Sequence, residues 1–313
     1  MLGDAFDRTA ARLGRRLAVR DPERDWSWGD LLATSQTVSR ALAAEPGARV
    51  GLMAPNSAAF VAGFFGIVRD GGVVAPLNVR YRDQELGYYL ADTAAVTLLA
   101  APEAIDAARK ALAALARPPA LFVLDGAECH LVAPGRVERS PASPADSPAL
   151  LQQYTSGSTG APKRVVRTHA QLRFELERLA QVFGLGEDDR FLGAAPFSHV
   201  NGLVRTMLTS MFVGATLYPM REFHRRRVLE LVTSEHLTFF GAVPTMFVVL
   251  ADTPVRGTVD LSSLRTTFSA SAPLLPEDNR RFQAKYGLWV RQLYGSTETG
   301  TISVNLDPDA GAR

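Results

Sequence analysis

Tyr154-Thr155-Ser156-Gly157-Ser158-Thr159-Gly160-Ala161-Pro162-Lys163 stands between an apolar stretch, Leu150 to Tyr154, and an amphipathic segment that begins near His169. Its hydroxyls, glycines and single ammonium place many small donors and one cation on backbone free to curl, the composition needed to wrap polyphosphate oxygens. The spacing is neither that of a Walker loop nor that of the dinucleotide fingerprint. Only Lys110, Lys163 and Lys285 are lysines among 34 basic residues, so a lysine here is selected against the arginine background. A compact ammonium suits a point contact to phosphate. Read on composition alone, an ordinary Ser/Gly-rich surface turn competes with that reading.

On both sides of this stretch, short apolar runs alternate with helical segments. Upstream, Val50 to Met53, Val73 to Leu77, Val96 to Ala100 and Leu121 to Leu124 read as strands, with helices from Ala58 to about Arg69 and over 82–92 and 102–117 between them. Downstream, strands are expected near 150–154, 190–195, 215–218, 237–241, 264–268 and 289–293. Helices are expected over 169–182, 201–213, 224–235, 244–251 and 276–286. That rhythm predicts an α/β protein of two linked, mostly parallel sheets flanked by helices. The division expected is a first α/β subdomain over 1–132, a Pro/Ser-rich linker over 133–149, a second α/β subdomain over 150–304 and a polar tail over 305–313.

The 313 residues are 47% hydrophobic, enough to fill a sizeable core, and 34 basic against 32 acidic side chains leave a formal charge of +2. So even a balance offers no broad field for gripping nucleic acid or an anionic membrane. Cys129 is the single cysteine. It excludes an internal disulfide and a cysteine-based structural metal, and with the lack of a long apolar span it points to a cytoplasmic protein.

The ten-residue stretch resembles the phosphate-loop signature of the adenylate-forming superfamily, which comprises acyl- and aryl-CoA synthetases, luciferases and the adenylation domains of peptide synthetases. Tyr294-Gly295-Ser296-Thr297-Glu298 is similar to that family's second nucleotide motif, Pro196 to Gly202 to its acyl-site motif, and Val243-Pro244-Thr245-Met246 to the segment bordering its acyl tunnel. Trp26 to Leu31 is similar to an early family segment. The resemblance implies that Thr155, Ser156, Gly157, Ser158, Thr159, Gly160 and Lys163 hold the phosphates of ATP. It further implies that Thr297 contacts the α-phosphate, that Glu298 binds Mg²⁺, and that Ser271, Ala272, Pro273, Tyr294 and Gly295 frame the adenine. Two departures stand out: serines at 269 and 271 where the family favours glycine, and Arg164 after the loop lysine. Arg164 could add a phosphate contact or face solvent.

By the same resemblance His199 lies where the carboxylate enters, as an orienting rather than a proton-transferring group, with Phe197, Val200, Met207, Phe239 and Val243 as apolar candidates for the acid pocket. An aspartate that would pair an α-amino group is missing from Phe197 to Val200, which disfavours an amino acid substrate. Without the resemblance, a lone histidine there reads as structural and the apolar residues as core. The basic run Arg221 to Arg227 reads mainly as a solvated helix end, with a landing patch for CoA or phosphopantetheine phosphates as the lesser reading.

The function implied is the N-terminal portion of an ATP-dependent carboxylic acid ligase, with CoA or a phosphopantetheine thiol as acceptor and an acyl carrier protein as a conceivable partner. A carrier-loading adenylation domain is the alternative enzyme. The family's later motifs and C-terminal domain are absent from the 313 residues. The alternative of another class is a naturally short, non-catalytic or split protein that binds a nucleotide or a partner.

Overall fold

The computed structural model describes residues 1–135, 149–155, 162–255 and 257–307. The chain divides into two compact units, one of Met1–Leu17 and Arg24–Arg173, the other of Ala18–Glu23 and Phe174–Arg313.

In the first unit, α1 (Leu2–Leu13) is followed, after β1 (Leu17–Arg20), by β2 (Asp25–Ser27) and α2 (Trp28–Leu42). The family-like segment at Trp26 to Leu31 is a helix start: the Ser27 hydroxyl accepts from the Asp30 backbone N–H while Asp30 accepts from the Ser27 N–H. That reciprocal arrangement satisfies two otherwise orphaned donors. Next come β3 (Arg49–Met53), α3 (Ala58–Arg69), β4 (Val73–Leu77), α4 (Asp83–Thr93), β5 (Thr97–Ala100), α5 (Ile105–Ala113), β6 (Ala120–Asp125), β7 (Glu128–Ala133), β8 (Ala149–Thr155) and β9 (Lys163–Thr168). The sheet order is β7-β6-β5-β3-β4-β8-β9. It is parallel at its centre, and β7 and β9 are antiparallel edges. Ten of the twelve residues of α3 are buried. It lies against α2 so closely that a Cβ at Gly66 would stand 2.6 Å from Val38 Cβ. Phe6 of α1 closes the same layer by stacking on Phe65 at 3.9 Å.

The second unit holds α6 (His169–Phe183, from Phe174 on), β10 (Arg190–Gly193), a π-helix over Asn201–Leu208, α7 (Thr209–Val213), β11 (Thr216–Pro219), α8 (Arg225–Glu235), β12 (Phe239–Ala242) and α9 (Pro244–Ala251). It ends with β13 (Thr266–Ser269), α10 (Pro276–Tyr286), β14 (Arg291–Ser296) and β15 (Gly300–Val304). Its strands run in the order β15-β14-β13-β12-β10-β11-β1. They are parallel except for the β14–β15 hairpin. The core is aromatic: Phe191 stacks on Phe239 at 4.1 Å, and Phe268 meets Phe239 edge-on.

Three expectations are corrected. The division does not fall at 150, because β8 joins the first sheet through Val74↔Leu151 and carries β9 with it, while residues 18–23 belong to the second unit. Hydrogen bonding to a parallel neighbour, not adjacency in sequence, decides which sheet a strand enters. Secondly, the polar stretch before His169 is not a strand-to-helix turn, since β9 intervenes and makes it the connection of a hairpin. Finally, the helix expected over 201–213 opens as a π-helix. The Thr206 hydroxyl within it and the Thr209 hydroxyl just beyond it donate to the carbonyls of Asn201 and Val204 at 3.2 and 2.8 Å. Of the expected linker, 136–148 lie outside the described residues, as do 308–313 of the tail.

Candidate active site

In the first unit the β8–β9 hairpin pairs Thr155 with Lys163 and Tyr154 with Arg164. Ser156, Gly157, Ser158, Thr159 and Gly160, the expected phosphate-binding residues between them, lie outside the described residues. Thr155 is half-buried and Lys163 is exposed. Both strands of the hairpin are tied to the C-terminal turn of α4. The Tyr154 hydroxyl donates to Asp92 Oδ2 at 2.7 Å and lies 2.8 Å from the Thr93 hydroxyl. Arg164 donates to the Asp92 carbonyl oxygen, with its carboxylate 3.7 Å away. Burial raises the Tyr154 pKa, so its hydroxyl keeps its proton as a donor. Arg164 is thereby an anchor of the hairpin stem. Nothing in the sequence signals Asp92, which lies 62 residues before Tyr154.

In the second unit the β14–β15 hairpin turns through Thr297, Glu298 and Thr299, with Ser296 opposite Gly300. Gly300 has φ +71°, the left-handed geometry that closes a three-residue hairpin loop. The turn is braced by the Ser296 N–H donating to Thr299 Oγ1 at 3.2 Å and the Thr299 N–H to Ser296 Oγ at 3.1 Å. Thr297 is left half-buried and Glu298 exposed at the tip. Beneath the turn Thr301 is gripped by two buried charges. Glu175 Oε1 accepts from its N–H at 2.8 Å and from its hydroxyl at 2.7 Å, and Arg205 Nε donates to that hydroxyl at 3.1 Å. Glu175 and Arg205 are only 5% and 1% exposed. A Cβ at Gly295 would come within 2.7 Å of the Arg205 guanidinium, so this glycine is required by close approach. Glu175 and Arg205 escape a sequence reading because their partner lies on a strand 126 and 96 residues further on.

The loop after β13 carries Ser271 at φ +77°, a conformation that costs a residue with a Cβ on the order of 1 kcal/mol. The loop is held by Gln292 of β14, whose side-chain amide accepts from the Leu274 N–H and donates to the Leu274 carbonyl, both at 3.0 Å. Ser271, Ala272 and Pro273 are exposed, and Tyr294 on the same strand as Gln292 is 68% exposed. The open tyrosine ring and a loop of small residues stand at the carboxyl ends of β13 and β14, where open α/β sheets bind ligands.

His199 lies on the turn entering the π-helix with its side chain accessible to solvent, and the partial desolvation imposed by the protein around it lowers its pKa, which favours the neutral imidazole. Val200 and Val243 are half-buried. Phe197, Met207 and Phe239 are at most 1% exposed. Phe197 fills the space over Gly193, and Phe239 belongs to the aromatic core. In the basic run, the His224 ring caps α8 by accepting from the Arg227 N–H at 3.3 Å, Arg221 pairs with Glu23 at 2.8 Å and Arg227 with Glu230 at 3.5 Å. These are contacts of a solvated helix end.

Hard oxygen donors suit Mg²⁺, and the exposed Glu298 carboxylate beside the Thr297 hydroxyl fits such an ion. Among the described residues no group of three His, Cys, Asp or Glu side chains is placed to hold a metal. Among the same residues no helix is long and apolar enough to cross a membrane.

These two hairpins, on mostly parallel sheets flanked by helices, are the architecture of an adenylate-forming enzyme's N-terminal domain. The inhibitor-bound N-terminal domain of FACL13 from Mycobacterium tuberculosis superposes with a TM-score of 0.83 at 26% identity, covering 99% of this chain and 79% of that one. ATP-bound MatB from Rhodopseudomonas palustris shares the fold, with a TM-score of 0.81 over 97% of this chain and 62% of that one at 24% identity.

The chain belongs to the AMP-binding enzyme family, whose pattern it matches over residues 6–313. It is 34% identical over 274 residues to a feruloyl-CoA synthase of Amycolatopsis sp, covering 86% of this chain and 53% of that protein. It is 31% identical over 319 residues to an indoleacetate-CoA ligase of Aromatoleum aromaticum, covering 98% and 62%. The chain therefore spans between half and two thirds of the length of these relatives, and the class they define is that of AMP-forming acid-thiol ligases.

Proposed function

We propose that this chain binds ATP with Mg²⁺ and a carboxylic acid and joins them as an acyl-adenylate, the first half-reaction of an acid-CoA ligase. The observation that carries the reading is the β14–β15 turn, which holds Thr297 and Glu298 at the carboxyl end of the sheet over a buried charged clamp. In the reaction a carboxylate oxygen forms a bond to the α-phosphorus as the bond to the bridging oxygen of pyrophosphate breaks. Lys163 and the hydroxyls of 155–159 would hold the leaving phosphates, and Thr297 the α-phosphate, by donating where negative charge gathers. Glu298 would hold Mg²⁺, which when bound would add to the neutralisation of that charge. Tyr294 and the loop 271–273 would seat the adenine, and neutral His199 would orient the entering carboxylate. CoA is the favoured acceptor of the acyl group, because the related proteins are CoA ligases; a phosphopantetheine carrier is the second reading.

Acid-dependent ATP–pyrophosphate exchange tests this directly, run on the 313-residue chain and on one continued through a C-terminal domain. Exchange in either that disappears in Glu298→Gln is the expected result. A complete lack of exchange and of any ATP·Mg²⁺-induced thermal stabilisation in both forms would overturn the proposal in favour of a non-catalytic binding role.

A further inference from the structure

Among the buried side-chain polar atoms of the second unit that have no hydrogen-bond partner are the carboxamide oxygen of Asn201 and the hydroxyl of Ser269. The residues are only 2% and 1% exposed. They come from distant parts of the chain to neighbouring places. Asn201 Nδ2 donates at 3.1 Å to the carbonyl of Ala242, which also accepts from the Ala270 N–H at 3.0 Å. Ala242 is in turn the register partner of Ser269 across β12 and β13. Both groups thus sit at the carboxyl ends of adjacent parallel strands, one on the acid-site motif and the other opening the loop that leads to Ser271.

Comparable groups nearby are fully bonded. Asn279 uses both ends of its amide on Val290, at 3.0 and 2.9 Å, Gln292 both ends on Leu274, and the Thr267 hydroxyl donates to the Trp289 carbonyl at 2.9 Å. A buried donor or acceptor left without a partner is costly, and such groups in native proteins call for a specific explanation. Here a carboxamide oxygen that only accepts lies near a hydroxyl that can donate. One alcohol or phenol group answers both, donating to Asn201 and accepting from Ser269, whereas a methyl or a hydrogen in its place answers neither.

We infer that Asn201 and Ser269 select, for the reaction proposed above and resting on that reading, a carboxylic acid whose body carries a hydroxyl group. Because both atoms are shielded from water, a ligand lacking the hydroxyl leaves them desolvated and unbonded, and sites of this kind discriminate strongly against the deoxy analogue. Val200 on the same motif and Val243 on the tunnel segment would face only the apolar part of the acid.

Calorimetric titration of the 313-residue chain with benzoate, cinnamate and the 2-, 3- and 4-hydroxy isomers of each tests this, with ATP·Mg²⁺ titrated separately. At least one hydroxylated isomer is expected to bind about tenfold or more tightly than its parent. Asn201→Leu should bring that ratio close to one and Ser269→Ala should reduce it, with ATP·Mg²⁺ affinity unchanged in both. Ser269→Ala should not lower the unfolding temperature of the ligand-free chain, since the hydroxyl it removes is unbonded there. If Asn201→Leu loses ATP·Mg²⁺ binding through misfolding, Ser269→Ala alone decides. Parent acids that bind as tightly as every hydroxylated isomer, or a ratio untouched by Ser269→Ala, would overturn the inference while leaving the ligase reading in place. ATP·Mg²⁺ binding with no affinity for any acid would remove both.

Discussion

The two hairpins that carry the nucleotide motifs are held in opposite ways. The β8–β9 hairpin is tied to α4 by Tyr154 and Arg164 through Asp92, whose side chain is 37% exposed against 41% for Arg164. The β14–β15 hairpin is tied from beneath by Glu175 and Arg205, both buried. An exposed pair is screened and contributes little, whereas charge-assisted bonds in a dry interior resist displacement. The contrast suits the proposed function in one respect: the buried clamp holds the turn that carries Glu298, the carboxylate proposed for the cation, at a fixed place.

Removing the buried clamp should break this contrast with the largest effect. Glu175→Ala leaves Arg205 in the interior without the carboxylate and is expected to cost about 3–5 kcal/mol by chemical denaturation, while Asp92→Ala costs less than about 1 kcal/mol. Similar losses for the two would show that the hairpins are held alike. A second test bears on His169, which caps α1 by accepting from the Leu2 N–H at 3.2 Å. Burial, then the N-terminal ammonium, lowers its pKa from 6.5 to about 4, against a smaller opposing effect of Asp4. The folded-state value lies below the unfolded one, so His169 contributes stability that is present above about pH 6.5 and is lost as pH falls towards 4. His169→Gln, which keeps an acceptor and cannot titrate, should flatten that part of the stability–pH curve. An unchanged slope would contradict a neutral, capping His169.

Next in size is Lys163→Ala. Lys163 is exposed, so its loss should leave stability within about 0.5 kcal/mol but weaken ATP-induced thermal stabilisation more than acid-induced stabilisation. Equal loss of both would point to general damage to the fold. Ser271→Gly removes a Cβ from a left-handed position and should stabilise the chain by a few tenths of a kcal/mol, at most about 1 kcal/mol, in equilibrium unfolding, with no loss of ligand binding. A decrease would mean that the hydroxyl makes a compensating bond.

Much of this was legible in the sequence because it is encoded locally. The apolar runs at 50–53 and 73–77 and the helices at 244–251 and 276–286 coincide with observed elements, since period and cap lie within a few residues of one another. The candidate nucleotide residues were legible through contiguous motifs. Asp92, Glu175, Arg205 and Gln292 were not, because each acts on a partner supplied by another element. The phenylalanine at 239 reads equally as pocket or core until its stacking on Phe191 is seen. The same holds for β9, whose Lys163-Arg164-Val165-Val166-Arg167-Thr168 has a short apolar centre but becomes a strand by pairing with β8.

By itself, the sequence determined the α/β alternation, the order of the motifs and the chemical types available for phosphate, cation and acid, because these depend on neighbours in the chain. Only the tertiary structure decided that β8 crosses into the first sheet, that two buried charges hold the Glu298 turn, and that Asn201 and Ser269 end at adjoining strand tips with unbonded atoms. Those outcomes depend on which groups lose water together when distant segments pack, and no local pattern specifies that.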